Sequence, residues 1–266
     1  MTIVKPLIVV KVGGRIAEDD ELFFAIGREF KDLAEQGNRL LLVHGGGVTI
    51  SELQRKYGVE PEFIDGLRQT PPNEMPLVDM ALAGAVNKRI VRQLRSLGVD
   101  AWGMCGADAG VISAVSVSGR PNENRTGRVV SVNTVPLETL WSGGYTPVLA
   151  PPSADENGYG ININADEAAL AMAESLKASH LVFVSDVPGV LDQGAVMHRL
   201  TPKTAKEKID KGIISGGMIP KVQSAVNALR QGVGAVVIGD YVNSGNLGDL
   251  LSSSRGTCID LRGGDQ

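Results

Sequence analysis

The chain has 266 residues, of which 43% are hydrophobic and 21% charged, and its formal net charge is -4. This length and apolar content are enough for one large α/β domain or for two small lobes that share a sheet. The chain is acidic overall and has no clusters of lysine and arginine, which excludes the basic surface that nucleic-acid-binding proteins usually have. The longest apolar run near the start, residues 7–10, is too short to cross a bilayer, and residues 1–6 lack the features of a signal peptide. The sequence therefore predicts a cytoplasmic protein.

The first predicted strand, residues 7–12, carries Lys11 near its end and is followed by Gly13 and Gly14. In open α/β sheets, ligands bind at the carboxyl ends of the strands. Glycines let the backbone approach an anion closely, and a lysine adds a full positive charge. A plain tight turn explains the two glycines equally well. A helix is predicted over residues 20–36.

The second predicted strand, residues 40–43, runs into His44 and three consecutive glycines at 45–47, before a helix over 48–57. Three glycines in a row carry a high entropic cost on folding, so they need a reason. A row of N–H donors for a phosphoryl group is favoured over crowded packing. His44 is predicted to orient or pack rather than to act as a catalytic base.

Arg68 lies in a glycine-containing loop at residues 65–70, where a guanidinium suits a carboxylate, although a lone arginine is usually a solvated charge. A long helix is predicted over 73–97, with Gly98 as its C-cap. Its apolar residues cover more of the circumference than one core face needs. A deeply buried helix and a subunit interface are both open at this point.

Residues 111–117 and 129–132 alternate like strands around a polar turn, which predicts a hairpin inserted in the α/β framework. A glycine- and proline-rich crossing at 150–160 marks the predicted lobe boundary, with residues 1–160 before it and 161–266 after it.

A helix is predicted to start after Asn164, a good N-cap, with Glu167 completing a pair that resembles a capping box. Capping does not explain Asn162 and Asp166. Their positions before the helix and in its first turn place an amide and a carboxylate at the same sheet edge as Lys11.

Strands are also predicted at 181–184 and 235–238, and the alternation of strands and helices predicts a mainly parallel sheet covered on both faces. The polar loop at 185–190 suits a nucleotide. Lys221 lies in the first turn of a predicted helix, where the helix dipole disfavours a cation, which indicates an anion nearby. No Walker A motif or dinucleotide fingerprint occurs.

Cys105 and Cys258 are too few and too far apart for a metal knuckle or a redox motif, so two reduced core thiols are expected. The three histidines have no metal-ligand spacing, and no protein-bound metal is expected.

Taken together and in order, these blocks resemble the amino-acid kinase family. The matching segments cover nearly the whole chain and are residues 11–14, 44–47, 65–70, 86–88, 161–166, 185–191 and 216–221. The resemblance implies a three-layer α/β/α sandwich around a mainly parallel central sheet. It implies an N-terminal lobe that binds an acylated amino acid and forms a homodimer through the helix at 73–97. The C-terminal lobe is expected to bind ATP, with Mg²⁺ carried by the nucleotide.

The resemblance also implies roles for individual residues. Lys11 and Lys221 are expected to stabilise the transition state, and Asp166 to position them. The substrate is expected to contact Gly14, Gly46, Gly47, Arg68 and Asn162. The residues expected at the nucleotide are Asp186, Val187, Pro188, Gly189, Val190, Leu191, Ile213, Ile214 and Ser215.

Within the family, the resemblance is strongest to members that phosphorylate the γ-carboxylate of N-acetyl-L-glutamate in arginine biosynthesis. Two alternatives are a kinase of carrier-linked aminoadipate or glutamate in lysine biosynthesis and a catalytically silent nucleotide-binding regulator. Departures at Gln69, at 71–72 and at 104–108 bear on the acyl pocket more than on the chemistry. Residues 1–6 are too few for the extra N-terminal helix of arginine-inhibited relatives, so a homodimer without arginine inhibition is expected.

Overall fold

The computed structural model describes residues 5–242 and 245–262. Its strands are β1 Leu7–Val12, β2 Arg39–His44, β3 Phe63–Ile64, β4 Leu67–Arg68, β5 Ala101–Cys105, β6 Ile112–Ser116, β7 Thr126–Val132, β8 Thr146–Ala150, β9 Ser153–Ala154, β10 Gly160–Ile163, β11 His180–Ser185, β12 Leu191–Asp192, β13 Ala195–Val196, β14 Arg199–Leu200, β15 Ala235–Asp240 and β16 Thr257–Asp260. Its α-helices are α1 Gly14–Glu18, α2 Asp20–Glu35, α3 Gly47–Lys56, α4 Met75–Asp79, α5 Asn87–Ser96, α6 Val135–Ser142, α7 Ala165–Ser175, α8 Pro202–Asp210, α9 Met218–Arg230 and α10 Asn246–Leu251.

The central sheet has eight strands in the order β14-β16-β15-β11-β1-β2-β8-β5. Every neighbouring pair is parallel except β15 with β16. The four strands predicted from valine- and isoleucine-rich runs lie side by side at its centre, as β15, β11, β1 and β2. The prediction of a mainly parallel sheet is confirmed.

Helices cover both faces of this sheet, because side chains along a buried strand point alternately to the two sides. In β1, Ile8, Val10 and Val12 pack in a core with α2, α5 and α10. Leu7 and Val9 point the other way, into a core with α7 and α9. These two cores confirm the three-layer α/β/α sandwich.

A second, four-stranded sheet joins β10, β7, β6 and β9. Its β6 and β7 form the predicted antiparallel hairpin. The predicted lobe boundary after residue 160 passes through β10, which pairs with β7 and β9 of the preceding segment. Residues on both sides of that boundary also contribute strands to the one central sheet.

The long helix predicted over 73–97 is α4, a π-helical turn at Met80–Val86 and α5. Gly98 follows it with a φ of 89°, as predicted for its end. The apolar positions that define its pattern are all buried within the chain: Met75, Val78, Leu82, Val86, Ile90 and Leu94. The deeply buried alternative therefore accounts for the pattern.

The expectation about arginine inhibition rests on residues 1–6, of which Met1 to Val4 lie outside the described residues. Within 5–242 and 245–262, no helix is both long and apolar enough to cross a membrane. In the same part of the chain, no group of three or more histidine, cysteine or acidic side chains could hold a metal ion.

Candidate active site

The candidate site lies at the carboxyl ends of the central strands. Lys11 on β1 is in register with Val43 on β2 and with Phe183 on β11. The loops that follow these three strands therefore meet at one edge, as the parallel topology requires. Helix α7 begins close to the same edge, at Ala165.

Two lysines from distant parts of the chain converge on one carboxylate. Lys11 Nζ lies 2.7 Å from Oδ1 of Asp166, and Lys221 Nζ lies 3.4 Å from Oδ2. The side chains of Lys11 and Lys221 are only 14% and 22% exposed. Lys221 also lies 5.5 Å from the centroid of the Phe183 ring, within the range of a cation–π contact.

Asp166 is ionised at neutral pH because of these neighbours. Burial on its own raises the pKa of the carboxyl group, but the Lys11 and Lys221 ammonium groups outweigh burial and hold the pKa below its usual range. Asp166 also lies in the first turn of α7, where the helix dipole favours an anion. The helix dipole disfavours the Lys221 ammonium group in the first turn of α9, and this position indicated an anion nearby. Asp166 is that anion.

Two cavities meet at this group. The first, about 320 Å³, is lined by Lys11, the glycines at 45–47, Arg68 and Asn162. The second, about 770 Å³, is lined by Lys221 and by residues of β11, α7 and α9. Asp166 lines both cavities, and so do Asn164, Gly66 and Leu67. The Lys11–Asp166–Lys221 group therefore lies where two binding spaces of ligand size adjoin.

The first glycine loop gives the Lys11 side chain its room. A Cβ atom at Gly13 would collide with Nζ of Lys11, so the ammonium group occupies the space that a side chain would fill. The family resemblance implied a substrate contact at Gly14 and not at Gly13. Gly14 is the first residue of α1.

The second glycine loop needs glycine at Gly46, which has a φ of 153° and precedes α3. A Cβ atom there would lie 2.7 Å from Cδ2 of Leu82 and 3.0 Å from Cγ2 of Val86, both in the long helix. Gly46 and Gly47 line the first cavity. The loop is therefore packed closely against the long helix and also lines the first cavity, so the crowded packing and the anion-binding role weighed from the sequence do not exclude each other.

Arg68 is held in place beside the first cavity. Its Nη2 donates to the Gly47 carbonyl oxygen at 2.8 Å and to Ser51 Oγ at 2.9 Å. Its Nη1 donates to the Gln54 side chain, and the guanidinium lies 4.7 Å from the centroid of the Phe63 ring. The guanidinium is therefore fixed against α3, and the reading of Arg68 as a freely solvated surface charge does not apply.

Asn162 lines the same cavity from β10 and is buried. Its Nδ2 donates to Thr70 Oγ1 at 2.9 Å. This bond fixes the orientation of the amide and joins β10 to the segment that follows Arg68.

The predicted nucleotide residues fall into two groups. Val187 lines the second cavity. The other eight are not among the lining residues of that cavity. Asp186, Pro188, Leu191 and Ser215 are exposed, and Ile213 is half-buried. In contrast, Gly189, Val190 and Ile214 are buried. The Val190 N–H donates to Thr257 Oγ1 at 2.8 Å, and this hydrogen bond attaches the end of the loop at 185–190 to β16.

Sequence reasoning did not assign several residues that line the second cavity: Leu170, Phe183, Gly217, Met218 and Ser224. Glycine repeats and polar loops attract notice in a sequence, whereas apolar side chains on regular elements do not. The parallel register at the end of β11 is the signal that could have found Phe183.

Two smaller expectations need correction. Asn164 caps α7, with its Oδ1 accepting from the Asp166 N–H at 2.8 Å. Glu167 does not complete a capping box, because its carboxylate accepts from the Val129 N–H at 2.6 Å instead.

Both cysteines are free, and burial raises the pKa of each thiol. Because Cys105 is only half-buried, only Cys258 is a core thiol.

His44 orients the second glycine loop rather than acting as a base. The side chain is fully buried, with Nδ1 2.8 Å from the Gly45 carbonyl oxygen and Nε2 3.1 Å from Asn87 Nδ2. Because Asn87 Nδ2 can only donate, we assign the proton to Nδ1. Burial lowers the pKa of His44 to about 4, so the ring is neutral at neutral pH.

This histidine makes stability depend on pH. Unfolded His44 takes up a proton below pH 6.5, whereas the folded ring stays neutral until about pH 4. The free energy of unfolding should therefore fall as pH falls through that window, by up to about 3 kcal/mol from this group. Urea unfolding of the wild-type protein and of His44→Gln between pH 7.5 and 4 measures the difference. Burial also lowers the pKa of His180. Because His180 is present in both proteins, its contribution cancels in the difference between their free energies of unfolding. Parallel curves for the two proteins would contradict the expectation.

Similarity to known proteins extends over most of the chain. Residues 6–240 match the model of the amino acid kinase family. Acetylglutamate kinase of Geobacillus kaustophilus (strain HTA426) is 41% identical over 231 residues, 87% of this chain and 88% of the relative. Acetylglutamate kinase of Methanopyrus kandleri is 40% identical over 260 residues, 94% and 99% of the two chains. The structure of smu.665 from Streptococcus mutans UA159 superposes with a TM-score of 0.78 at 33% identity, covering 96% of this chain and 98% of that one.

Proposed function

The chain belongs to the amino acid kinase family, and on that premise we propose that it transfers the γ-phosphoryl group of ATP to the γ-carboxylate of N-acetyl-L-glutamate. The product would be N-acetylglutamyl 5-phosphate, an intermediate of arginine biosynthesis. One observation carries the proposal: the Lys11–Asp166–Lys221 group lies between two adjoining cavities.

The first cavity suits the acceptor. It contains the cations Lys11 and Arg68 and the backbone of the glycines at 45–47, all of which attract carboxylates. Asp166 in the same cavity already neutralises one lysine. The free ammonium group of glutamate would be repelled by these cations, whereas an acetylated amine is neutral. This electrostatic difference favours an N-acylated amino acid.

The second cavity suits the nucleotide. Leu170, Phe183 and Val187 offer apolar surface for a base, and Lys221 and Gly217 lie beside them. Lys221 is then placed to contact the transferring phosphoryl group from the nucleotide side, and Lys11 from the acceptor side. Magnesium would enter bound to the ATP phosphates and neutralise part of their charge.

The chemistry asks little of the protein beyond charge and alignment. A carboxylate is ionised at neutral pH and needs no general base to act as a nucleophile. During transfer, charge is spread over the phosphoryl oxygens. The Lys11 and Lys221 ammonium groups can donate hydrogen bonds to those oxygens. Asp166 sets the position of both lysines and takes no proton, since its pKa is held low.

Trapping with hydroxylamine tests the proposal, because acyl phosphates react with it to form hydroxamates, which give coloured complexes with iron(III). The protein should give hydroxamate with ATP and N-acetyl-L-glutamate. It should give much less with glutamate, aspartate or aminoadipate. A stronger signal with aminoadipate would favour the lysine-biosynthesis alternative, and no signal with any carboxylate would favour a silent regulator.

Present observations favour the main proposal over both alternatives. The two relatives described above are named acetylglutamate kinase. Lys11, Asp166 and Lys221 are all present and in contact, which a silent regulator would not require. We also propose a cytosolic location, in keeping with an ATP-dependent biosynthetic reaction and two free cysteines.

Replacing Arg68 tests the assignment of the first cavity. We expect Arg68→Lys to raise KM for the amino-acid substrate by about 10-fold or more and to leave KM for ATP nearly unchanged. A point charge cannot reproduce a guanidinium that is fixed by Gly47 and Ser51. Steady-state kinetics with each substrate varied in turn give the two constants. A selective rise in KM for ATP would place Arg68 at the nucleotide and overturn the assignment.

We further propose a homodimer formed through the long helix. Its buried face is satisfied within the chain, but Met80, Gly84 and Ala85 leave a small, apolar face exposed. Nearby β5 is an edge strand of the central sheet and carries Trp102, which is 49% exposed. Ala85→Glu should convert the dimer to a monomer in light scattering. A wild-type monomer, or a dimer that Ala85→Glu leaves intact, would contradict the proposal.

A further inference from the structure

The two glycine loops of the candidate site are joined to each other by two connections. At their base, the Gly45 N–H donates to the Val12 carbonyl oxygen at 3.0 Å. This bond fixes the loops where they leave β1 and β2. It does not by itself fix the first turns of α1 and α3, which follow the two loops.

A second connection lies one turn further along each helix. Glu18, the last residue of α1, extends its carboxylate to the first turn of α3. There Oε1 accepts from the Thr49 N–H at 2.9 Å and from the Thr49 hydroxyl at 2.8 Å. A single carboxylate oxygen thus joins the helix that follows Gly13 to the helix that follows Gly46.

This connection supplies the cap that α3 lacks. The N-cap residue of α3 is Gly46, which has no side chain to accept from the helix N–H groups. Glu18 accepts from the third N–H of the helix, at Thr49. The N–H groups of Gly47 and Val48 have no intrahelical acceptor, as in any first helical turn, and they remain able to bind an anion.

The backbone at Glu18 is itself anchored. Arg89 on α5 donates through Nη1 to the Glu18 carbonyl oxygen at 2.9 Å, and through Nη2 to the carbonyl oxygen of Ala17. A cation at the end of α1 also complements the helix dipole. Arg89 of the long helix therefore anchors the end of α1, and Glu18 of α1 anchors the start of α3. The helices α1 and α3 each follow one of the two glycine loops.

We propose that Glu18 is a positioning residue for phosphoryl transfer, which sets the spacing of the two glycine loops through Thr49. This inference rests on the proposed function, since it explains how the acceptor and phosphoryl contacts are aligned. Misplacing reacting groups by about 1 Å can lower the rate by about 10²-fold, because the groups no longer meet in a reactive geometry. Loss of the connection should therefore reduce kcat and leave KM for ATP nearly unchanged.

Three variants separate positioning from charge. Glu18→Ala removes the acceptor and should lower kcat about 10-fold. Glu18→Gln keeps an acceptor oxygen without the charge and should restore most of kcat. Thr49→Val removes only the hydroxyl bond and should have a smaller effect than Glu18→Ala. Glu21→Ala, an exposed acidic residue in the first turn of α2, is the matched control and should behave as wild type.

Amide hydrogen exchange tests the connection without the reaction. In the ligand-free protein, the Thr49 N–H should exchange about 10-fold faster in Glu18→Ala than in wild type, and at an intermediate rate in Glu18→Gln. A lower melting temperature with normal kcat, or unchanged exchange at Thr49, would overturn the inference. If wild type forms no acyl phosphate with any carboxylate, the proposed function fails, and the exchange result alone then decides whether the connection exists.

Discussion

Lys11→Ala and Lys221→Ala should each lower kcat by a factor of about 10² or more, because each removes charge stabilisation that is strongest in the transition state. The two variants should differ in their effect on binding. Lys11 lines the first cavity and Lys221 the second. Lys221→Ala should therefore also raise KM for ATP, and Lys11→Ala should affect the amino-acid substrate more.

Circular dichroism and thermal unfolding provide the necessary controls for these lysines. Either variant leaves Asp166 with one of its two cationic partners, so the fold should survive. Lys206→Ala is a matched control, since that lysine is 76% exposed on α8 and pairs with Asp210. Near-normal turnover in Lys11→Ala or Lys221→Ala, with unchanged stability, would show that the two-lysine mechanism is wrong.

The elements that position the site could be predicted from sequence because their signals are local. Runs of valine and isoleucine mark strands that are buried on both faces. Glycines mark where the chain turns toward a helix. Parallel topology then places residues that follow different strands at one edge, which is why Lys11 and Asp166 were expected to lie together. In the structure β10, which precedes Asp166, belongs to the second sheet, and the start of α7 brings Asp166 within 2.7 Å of Lys11.

Contacts between distant side chains had no comparable signal. Glu18 reaches Thr49 across 31 residues, and Glu167 reaches Val129 across 38. In each case an acidic residue near a helix end accepts a hydrogen bond from another element. Local capping rules do not predict that a distant N–H group competes for the carboxylate. The buried positions of Val190 and Ile214 have the same origin, since a motif identifies a loop but not which of its side chains point inward.

The π-helical turn at Met80–Val86 is a further feature that periodicity could not show. Apolar spacings of three and four fit an α-helix throughout, and one wider turn shifts the pattern too little to be noticed. This turn nevertheless lies beside the candidate site, because its residues Leu82 and Val86 pack next to Gly46. These two side chains leave no room for a side chain at Gly46.

That contact makes Gly46→Ala a strongly disruptive single-methyl change at the candidate site. The backbone conformation at Gly46, with a φ of 153°, disfavours any side chain, at a cost of about 1–3 kcal/mol. The new methyl group would also press on Leu82, which is 3% exposed and has little room to move. We expect a lower free energy of unfolding and a kcat at least about 10-fold below wild type, because the N–H groups of the loop turn away from the acceptor.

A second variant separates the two causes of the Gly46→Ala defect. Leu82→Ala in the Gly46→Ala background removes the steric clash but not the backbone strain. If the clash dominates, the double variant should be more stable than the sum of the two single effects allows, which a double-mutant cycle measures directly. Gly248→Ala is the matched control, since a Cβ atom there meets open space within α10. A Gly46→Ala protein as stable and active as Gly248→Ala would show that the loop tolerates side chains, and that its glycines are not needed for close approach of the backbone to the substrate.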